Sequence, residues 1–336
     1  MIRLEPDAPQ SVWRGAVAWA REGDTWRPWR LPPERIATAH APVLASRARS
    51  AAGIRAVVHT DASALELPIV VLDDAVTSLD VIVDGTLWQR VPLNEGACTI
   101  RMALPPRTKK IEVWLPQFGE VHLGPLLLHG ATHATAVEDA GLRWVTYGSS
   151  ITHCRSAAGP SETWPALVAR QLGWDLTCLG FAGQCHLDPI AARAITSRPA
   201  DLVSLCLGIN IYGSSSLGAR TLAGQVSGFI ETIREAHRDV PIVVITPIAS
   251  PSRERKPNDV GLTLDEVRGI VADAVTALQR SGEKRLHLID GLSVFGPDDA
   301  HLLLDGLHPD PEGYRLMAQR LAPRLGAVAG TVRIGS

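Results

Sequence analysis

The chain has 336 residues, 46% of them hydrophobic and 20% charged, so it can bury a sizeable core and is not a disordered segment. Its 33 Lys and Arg against 35 Asp and Glu leave a net charge of −2, without the basic face that nucleic acid or anionic lipid requires. Five cysteines without a Cys-x-x-Cys pair, and an opening with acids and a proline where an export signal needs an apolar run, point to free thiols in the cytoplasm.

This length suits two domains, expected at residues 1–138 and 139–336. The first is predicted to be a β-sandwich. Strand candidates run at Ile54–His59, Leu65–Leu72, Val81–Trp88, Thr99–Leu104, Lys110–Leu115 and Val121–Leu128. Within Val81–Trp88, Asp84-Gly85 between β-branched runs signals a type I′ hairpin. Short strands separated by turn clusters, with no amphipathic helix between them, are the pattern of a sandwich. Six tryptophans lie here (Trp13, Trp19, Trp26, Trp29, Trp88 and Trp114), and such residues in a small sandwich serve as core more often than as a sugar platform.

From about residue 141 strands and helices alternate. Arg143–Tyr147, Leu176–Leu179, Leu202–Leu207, Ile242–Thr246 and Leu286–Ile289 are short apolar runs of the buried-strand type. Between them helices are predicted at Ser161–Leu172, with Ser161 as N-cap and Gly173 as stop, and at Asp188–Ser197, Leu217–His237 and Thr263–Arg280. Thr263 and Glu266 form a capping box, and a last helix follows Pro311. The alternation implies an α/β domain with a mostly parallel sheet and helices on both faces. Ser250–Asp259 is expected to be a mobile loop. No apolar run approaches the roughly 20 residues of a membrane-spanning helix.

Ligands of such sheets bind beyond the carboxyl ends of the strands. Gly148-Ser149-Ser150 follows the first strand, Gly180-Phe-Ala-Gly183 the second, Gly208-Ile-Asn210 the third, and Asp305-Gly-Leu-His308 the last. These are the parts that acyl transfer needs. A serine hydroxyl is a weak nucleophile until an imidazole takes its proton, and the imidazole needs an acceptor that fixes its tautomer. Ser150, His308 and Asp305 suit these roles. The oxyanion needs preorganised donors, which the N–H groups of Ser150 and Gly183 and the Asn210 amide can supply. Cys185-His186 has no second ligand pair at metal spacing, and no nucleotide-binding glycine pattern occurs, so neither metal nor organic cofactor is expected. His153 and His186 are expected as surface or pocket-wall residues, and His237 and His287 as solvated ones.

In this order, the four blocks resemble the SGNH/GDSL hydrolase superfamily. The resemblance runs from Trp144 to the end of the last helix and implies a three-layer α/β/α fold with about five parallel strands. It also implies an ester substrate, with Ser150, Gly183, Asn210, Asp305 and His308 at the site. Two positions depart from the usual blocks: Ser149 stands where an acid is common, and Ile211 follows Asn210 where Asp is common. Neither holds a nucleophile, base or oxyanion donor in the family. With the β-rich part in front, the whole chain is similar to a two-domain subgroup of esterases that also includes natural-product acyltransferases. The expectation is a serine esterase acting on a small-molecule ester. The alternatives are an acyltransferase with the same triad and an alcohol acceptor, and a carbohydrate-binding module with an idle triad. Oligomeric state is left open.

Overall fold

The computed structural model describes residues 1–8, 11–72, 78–137 and 141–330; the expected domain boundary at 138/139 falls outside them. Among the described residues the N-terminal part has thirteen strands: β1 (Ile2–Leu4), β2 (Trp13–Arg14), β3 (Ala18–Glu22), β4 (Thr25–Trp29), β5 (Arg55–Thr60), β6 (Ala64–Val71), β7 (Ser78–Val83), β8 (Thr86–Pro92), β9 (Gly96–Ala103), β10 (Lys109–Trp114), β11 (Val121–Leu123), β12 (Leu126–His129) and β13 (Ala134–Ala136). They pair in two antiparallel sheets. One runs β1-β12-β6-β11-β4-β3, with β9 also on β6; the other runs β13-β5-β10-β7-β8, with β2 on β5. Alternation in β6 sends Leu65, Leu67, Ile69 and Val71 inward, against Val81, Val83, Ile111 and Val113 of the other sheet. The β7–β8 turn has positive φ at both Asp84 (48°) and Gly85 (84°), as a type I′ turn requires.

Val121–Leu128, expected as one strand, is two. Gly124-Pro125 interrupts it, and Gly124 lies so close to Pro68 that a Cβ there would sit 2.8 Å from the Pro68 Cβ. Trp13, Trp26, Trp29 and Trp114 are core, whereas Trp88 is half exposed. Beyond the expected elements the N-terminal part also holds β1–β4, β13 and a short helix α1 (Pro42–Arg47).

The C-terminal part has five parallel strands, β14 (Arg143–Gly148), β15 (Asp175–Gly180), β16 (Leu202–Cys206), β17 (Ile242–Ile245) and β18 (Leu286–Ile289), in the order β15-β14-β16-β17-β18. Its helices are α2 (Ser150–His153), α3 (Trp164–Leu172), α4 (Pro189–Thr196), α5 (Ile209–Ser214), α6 (Ala219–Ala236), α7 (Leu264–Arg280) and α8 (Pro311–Gly330). Helix α3 packs on α8, while α6 packs on α4 and α7. With crossovers of the usual right hand, a chain that runs from β14 out to β15 and then back past β14 to β16 puts these two groups on opposite faces, which makes the three layers.

Two local expectations are corrected. The N-cap of α3 is Thr163, whose Oγ1 accepts from Ala166 N–H. Ser161 is buried instead, its hydroxyl donating to Asp80 at 2.7 Å, and Pro165 starts the helix later because its missing N–H costs nothing in a first turn. His237 is buried rather than solvated, its Nε2 3.0 Å from Ile195 O.

The two parts share an apolar core. Trp29, Leu31, Leu44 and Trp114 of the first belong to the same apolar core as Trp144, Val145 and Tyr147 of the second. Polar ties reinforce it. Arg30, fully buried, donates to Gly180 O at 2.6 Å and to Ser50 O at 2.7 Å, and Arg55 pairs with Asp175 at 2.7 Å.

Candidate active site

Strand order reverses at β14, since the chain steps outward to β15 and then returns past it to β16. Such a switch point opens a crevice at the carboxyl ends of the strands. There β14 ends in Gly148, where a Cβ would lie 2.2 Å from Thr152 Oγ1, so the chain turns into α2 only because glycine occupies that position. Ser149, in place of the common acid, is the N-cap: its side chain accepts from Ile151 N–H at 3.2 Å. This sets Ser150 at the first helical position, where its own N–H has no intrahelical acceptor.

Ser150 Oγ lies 2.8 Å from His308 Nε2, and His308 Nδ1 lies 2.7 Å from Asp305 Oδ2. With Nδ1–H donating to the carboxylate, Nε2 is left as the acceptor for the serine proton. Asp305 Oδ1 also accepts from the Leu307 and His308 N–H groups, at 3.0 and 2.8 Å. Partial burial pushes the Asp305 carboxyl up, but the side-chain and backbone hydrogen bonds from His308 and the imidazole charge outweigh it and hold it down at about 2. The acceptor is therefore charged at any working pH.

The two donor elements are held just as specifically. Gly183 has φ of 72° in a turn closed by Gln184 N–H on Phe181 O at 2.9 Å. Asn210 sits in the first turn of α5, and its Oδ1 accepts from Cys185 N–H at 3.0 Å. That bond fixes the flip of the amide and leaves the NH2 end for the crevice. Ser150, Gly183, Asn210, Asp305 and His308 line one pocket of about 610 Å³. All five residues singled out in the sequence thus come together. A second cleft, of about 600 Å³, lies at the opposite end of the sheet among Arg55, Trp114, Trp174 and Arg315, and has no nucleophile–base pair.

Several residues at the site carried no sequence signal. Arg47 and Phe118 of the N-terminal part line the Ser150 pocket. His153 is fully buried, contrary to expectation. Its Nε2 is 2.6 Å from Gln117 O and 3.1 Å from Ser50 Oγ, its Nδ1 accepts from Ala182 N–H at 3.2 Å, and its ring packs on Phe118. One imidazole therefore joins the serine helix, the glycine turn and the N-terminal part. The segment Ser250–Asp259 is tied down. Ser250 Oγ and Arg253 Nη1 both donate to Gly306 O, at 2.6 and 3.2 Å, and Glu254 pairs with Arg268 at 3.0 Å. It braces the His308 loop.

Among the described residues no three His, Cys, Asp or Glu side chains group to hold a metal ion. Cys185 and His186 diverge: the thiol is buried beside Cys206 O, while His186 bonds Ser216 Oγ at 2.9 Å. No helix among the described residues is long and apolar enough to cross a membrane.

Residues 146–316 match the family described as GDSL-like lipase/acylhydrolase. Among solved structures the chain is similar to the salicylyl-acyltransferase SsfX3 from a tetracycline biosynthetic pathway, with 31% identity, 98% of this chain and 97% of that one covered, and a TM-score of 0.89. A putative GDSL-like lipase from Bacteroides ovatus has the same fold at 20% identity, covering 94% and 95% of the two chains with a TM-score of 0.76. So does a family two carbohydrate esterase from Clostridium thermocellum, at 16% identity, 84% and 93% coverage and a TM-score of 0.68. No curated protein matches the chain. The family match spans more than half of the sequence and contains every strand-end block of the site, and the chain belongs to the GDSL-like lipase/acylhydrolase family.

Proposed function

We propose that the protein is a serine esterase that works through an acyl-enzyme. Ser150 Oγ attacks the carbonyl carbon of a small-molecule carboxylic ester as His308 Nε2 takes the hydroxyl proton. Asp305 holds the imidazole in the tautomer this needs and stabilises the imidazolium. The Ser150 and Gly183 N–H groups and the Asn210 NH2 receive the oxyanion. Collapse breaks the bond to the alcohol, which leaves with the proton from His308. Water then repeats the sequence on the acyl-serine and frees the acid. The observation that carries this reading is the unbroken line from Ser150 Oγ through the imidazole to Asp305, at 2.8 and 2.7 Å.

A second reading keeps the same triad and replaces water by an alcohol acceptor. The likeness to a salicylyl-acyltransferase over 98% of the chain favours it. One experiment separates the two: a panel of esters of increasing acyl length, run with and without candidate alcohols. Free acid as the sole product supports the esterase, and acceptor-dependent new ester supports the transferase. Silence with every ester, together with no labelling of Ser150 by a fluorophosphonate, would leave a binding module with an idle triad.

A further inference from the structure

Among the residues that line the Ser150 pocket, three that the triad chemistry does not use are in mutual contact. Arg47 is the last residue of α1, Phe118 lies in the β10–β11 loop, and Arg155 follows α2. The Arg47 and Arg155 guanidinium carbons lie 4.7 and 4.8 Å from the centroid of the same Phe118 ring. Stacking on an aromatic ring offsets part of the desolvation of a guanidinium and fixes its plane, while its N–H edge stays free for a planar or tetrahedral oxyanion. Phe118 is itself pinned, 5.0 Å from the buried His153 ring. The Arg47 backbone is pinned as well, since its carbonyl accepts from Arg30 Nη2 at 2.6 Å and from Ser50 Oγ at 2.8 Å.

These two cations share one ring. Several arginines near the junction of the two parts are paired with carboxylates, Arg55 with Asp175, Arg90 with Asp80 and Glu162, Arg143 with Asp201, while Arg170 and Arg198 there bond backbone carbonyls. Among the described residues neither Arg47 nor Arg155 has a carboxylate within 4.0 Å, and Arg47 Nε is buried without a hydrogen-bond partner. The acid in the pocket, Asp305, is engaged by His308. Buried Arg30 adds a third positive charge behind them. Two like charges held on one ring at the mouth of a concave site repel each other, and an anion between them relieves that repulsion. A cleft lined by one sign of charge also concentrates the opposite sign.

We infer, on the basis of the esterase reading, that the substrate carries an anionic group, a carboxylate or phosphate, which Arg47 and Arg155 grip from the Phe118 platform while Ser150 meets the ester carbonyl. The shared chemistry fits an anion on either half of the ester, and matched pairs of substrates tell the halves apart. Hydrolysis of 4-nitrophenyl hydrogen adipate against 4-nitrophenyl heptanoate probes the acyl half. Hydrolysis of 4-carboxyphenyl butyrate against 4-carbamoylphenyl butyrate probes the leaving half. In one pair kcat/KM should favour the anion by about 10- to 100-fold, the worth of a charge-assisted hydrogen bond, mainly through KM. The preference should shrink with added salt and fall towards unity in R47Q/R155Q. The single variant R155Q, at an exposed position, should lose part of it and guards against a misfolded double variant.

A preference of unity in both pairs, or one that survives R47Q/R155Q in a protein with an unchanged melting curve, would overturn the inference. Calorimetric titration of adipate into S150A needs no turnover, and its binding should vanish when R47Q/R155Q is added. Fluorophosphonate labelling of Ser150 with no anion preference sinks the anion site and leaves the esterase standing. Adipate binding that depends on the arginines, without labelling or turnover, does the reverse.

Discussion

Replacing His153 with glutamine is expected to destabilise the protein at pH 8 and to matter less and less as the medium is acidified. The ring is buried completely. Its Nε2–H donates to Gln117 O and its Nδ1 accepts from Ala182 N–H, so a second proton on Nδ1 would face another donor. Burial first, and then the Arg30 guanidinium, hold the imidazole well below its ordinary range. The folded chain therefore keeps His153 neutral while the unfolded chain protonates it near ~6.5. With the folded value depressed, the stability this residue contributes is complete above that pH and declines below it, by up to about 1.4 kcal/mol per pH unit. Between pH 6.5 and pH 5 that amounts to about 2 kcal/mol, a loss the variant does not share. At pH 8 glutamine reproduces one of the two hydrogen bonds and forfeits the other, at a cost of about 1–2 kcal/mol. The two stability curves should therefore converge near pH 5. Urea unfolding followed by tryptophan fluorescence at pH 8, 6.5 and 5 measures this, since histidines that titrate alike in both proteins cancel in the difference. A stability difference constant from pH 8 to pH 5 would refute the claim that a buried neutral imidazole joins the two parts.

Ser150→Ala should abolish ester turnover and fluorophosphonate labelling while the melting curve is kept; full activity would move the nucleophile to another residue, Ser149 first. Asn210→Ala should lower kcat by about 10²–10³ with little change in KM, because an oxyanion donor acts in the transition state, and steady-state kinetics that show a KM effect alone would make Asn210 a substrate-binding residue. Asp305→Asn should cut kcat by up to about 10⁴. Since the Asp305 carboxyl is held at about 2, its charge is present at pH 6 and at pH 9, and the defect should be seen at both; a variant as active as the wild type at both would remove Asp305 from the site's chemistry. A chain beginning at residue 141 would lose Trp29, Leu31, Leu44 and Trp114 from the apolar core they share with the α/β part, and should be insoluble or inactive. Unchanged kinetics and melting in that shortened chain would contradict a shared core.

The local grammar of the sequence was enough for the α/β half. Apart from end residues, β14 to β17 are buried on both faces, so each is written as an apolar run, and β14, β15 and β16 run into Gly148, Gly180 and Gly208 at their turns. Ser150, Gly183 and Asn210 were legible for that reason: strand-end chemistry is encoded within a few residues, and a parallel sheet collects its strand ends at one edge; Asp305 and His308 lie well beyond β18, in the loop before α8, and were legible as an Asp-x-x-His block. The Asp84-Gly85 hairpin and the Thr263–Glu266 capping box are local in the same sense.

Residues whose meaning lies in a distant partner were not legible. Ser161 reads as a helix cap until Asp80 is seen to claim its hydroxyl. Ser250–Asp259 reads as a polar loop until Gly306 and Arg268 are seen to hold it. His153 has the sequence context of a surface residue, yet its partners Ser50 and Gln117 lie far away along the chain. Arg47, Phe118 and Arg155 are three unremarkable positions in sequence and one charged wall of the pocket in space. Short-range conformational preference decides turns, caps and strand ends, so the sequence alone determined which residues stand at the carboxyl end of the sheet. Long-range packing decides which side chains face which, so the tertiary structure alone decided that the β-sandwich shares a core with the α/β half and completes its site.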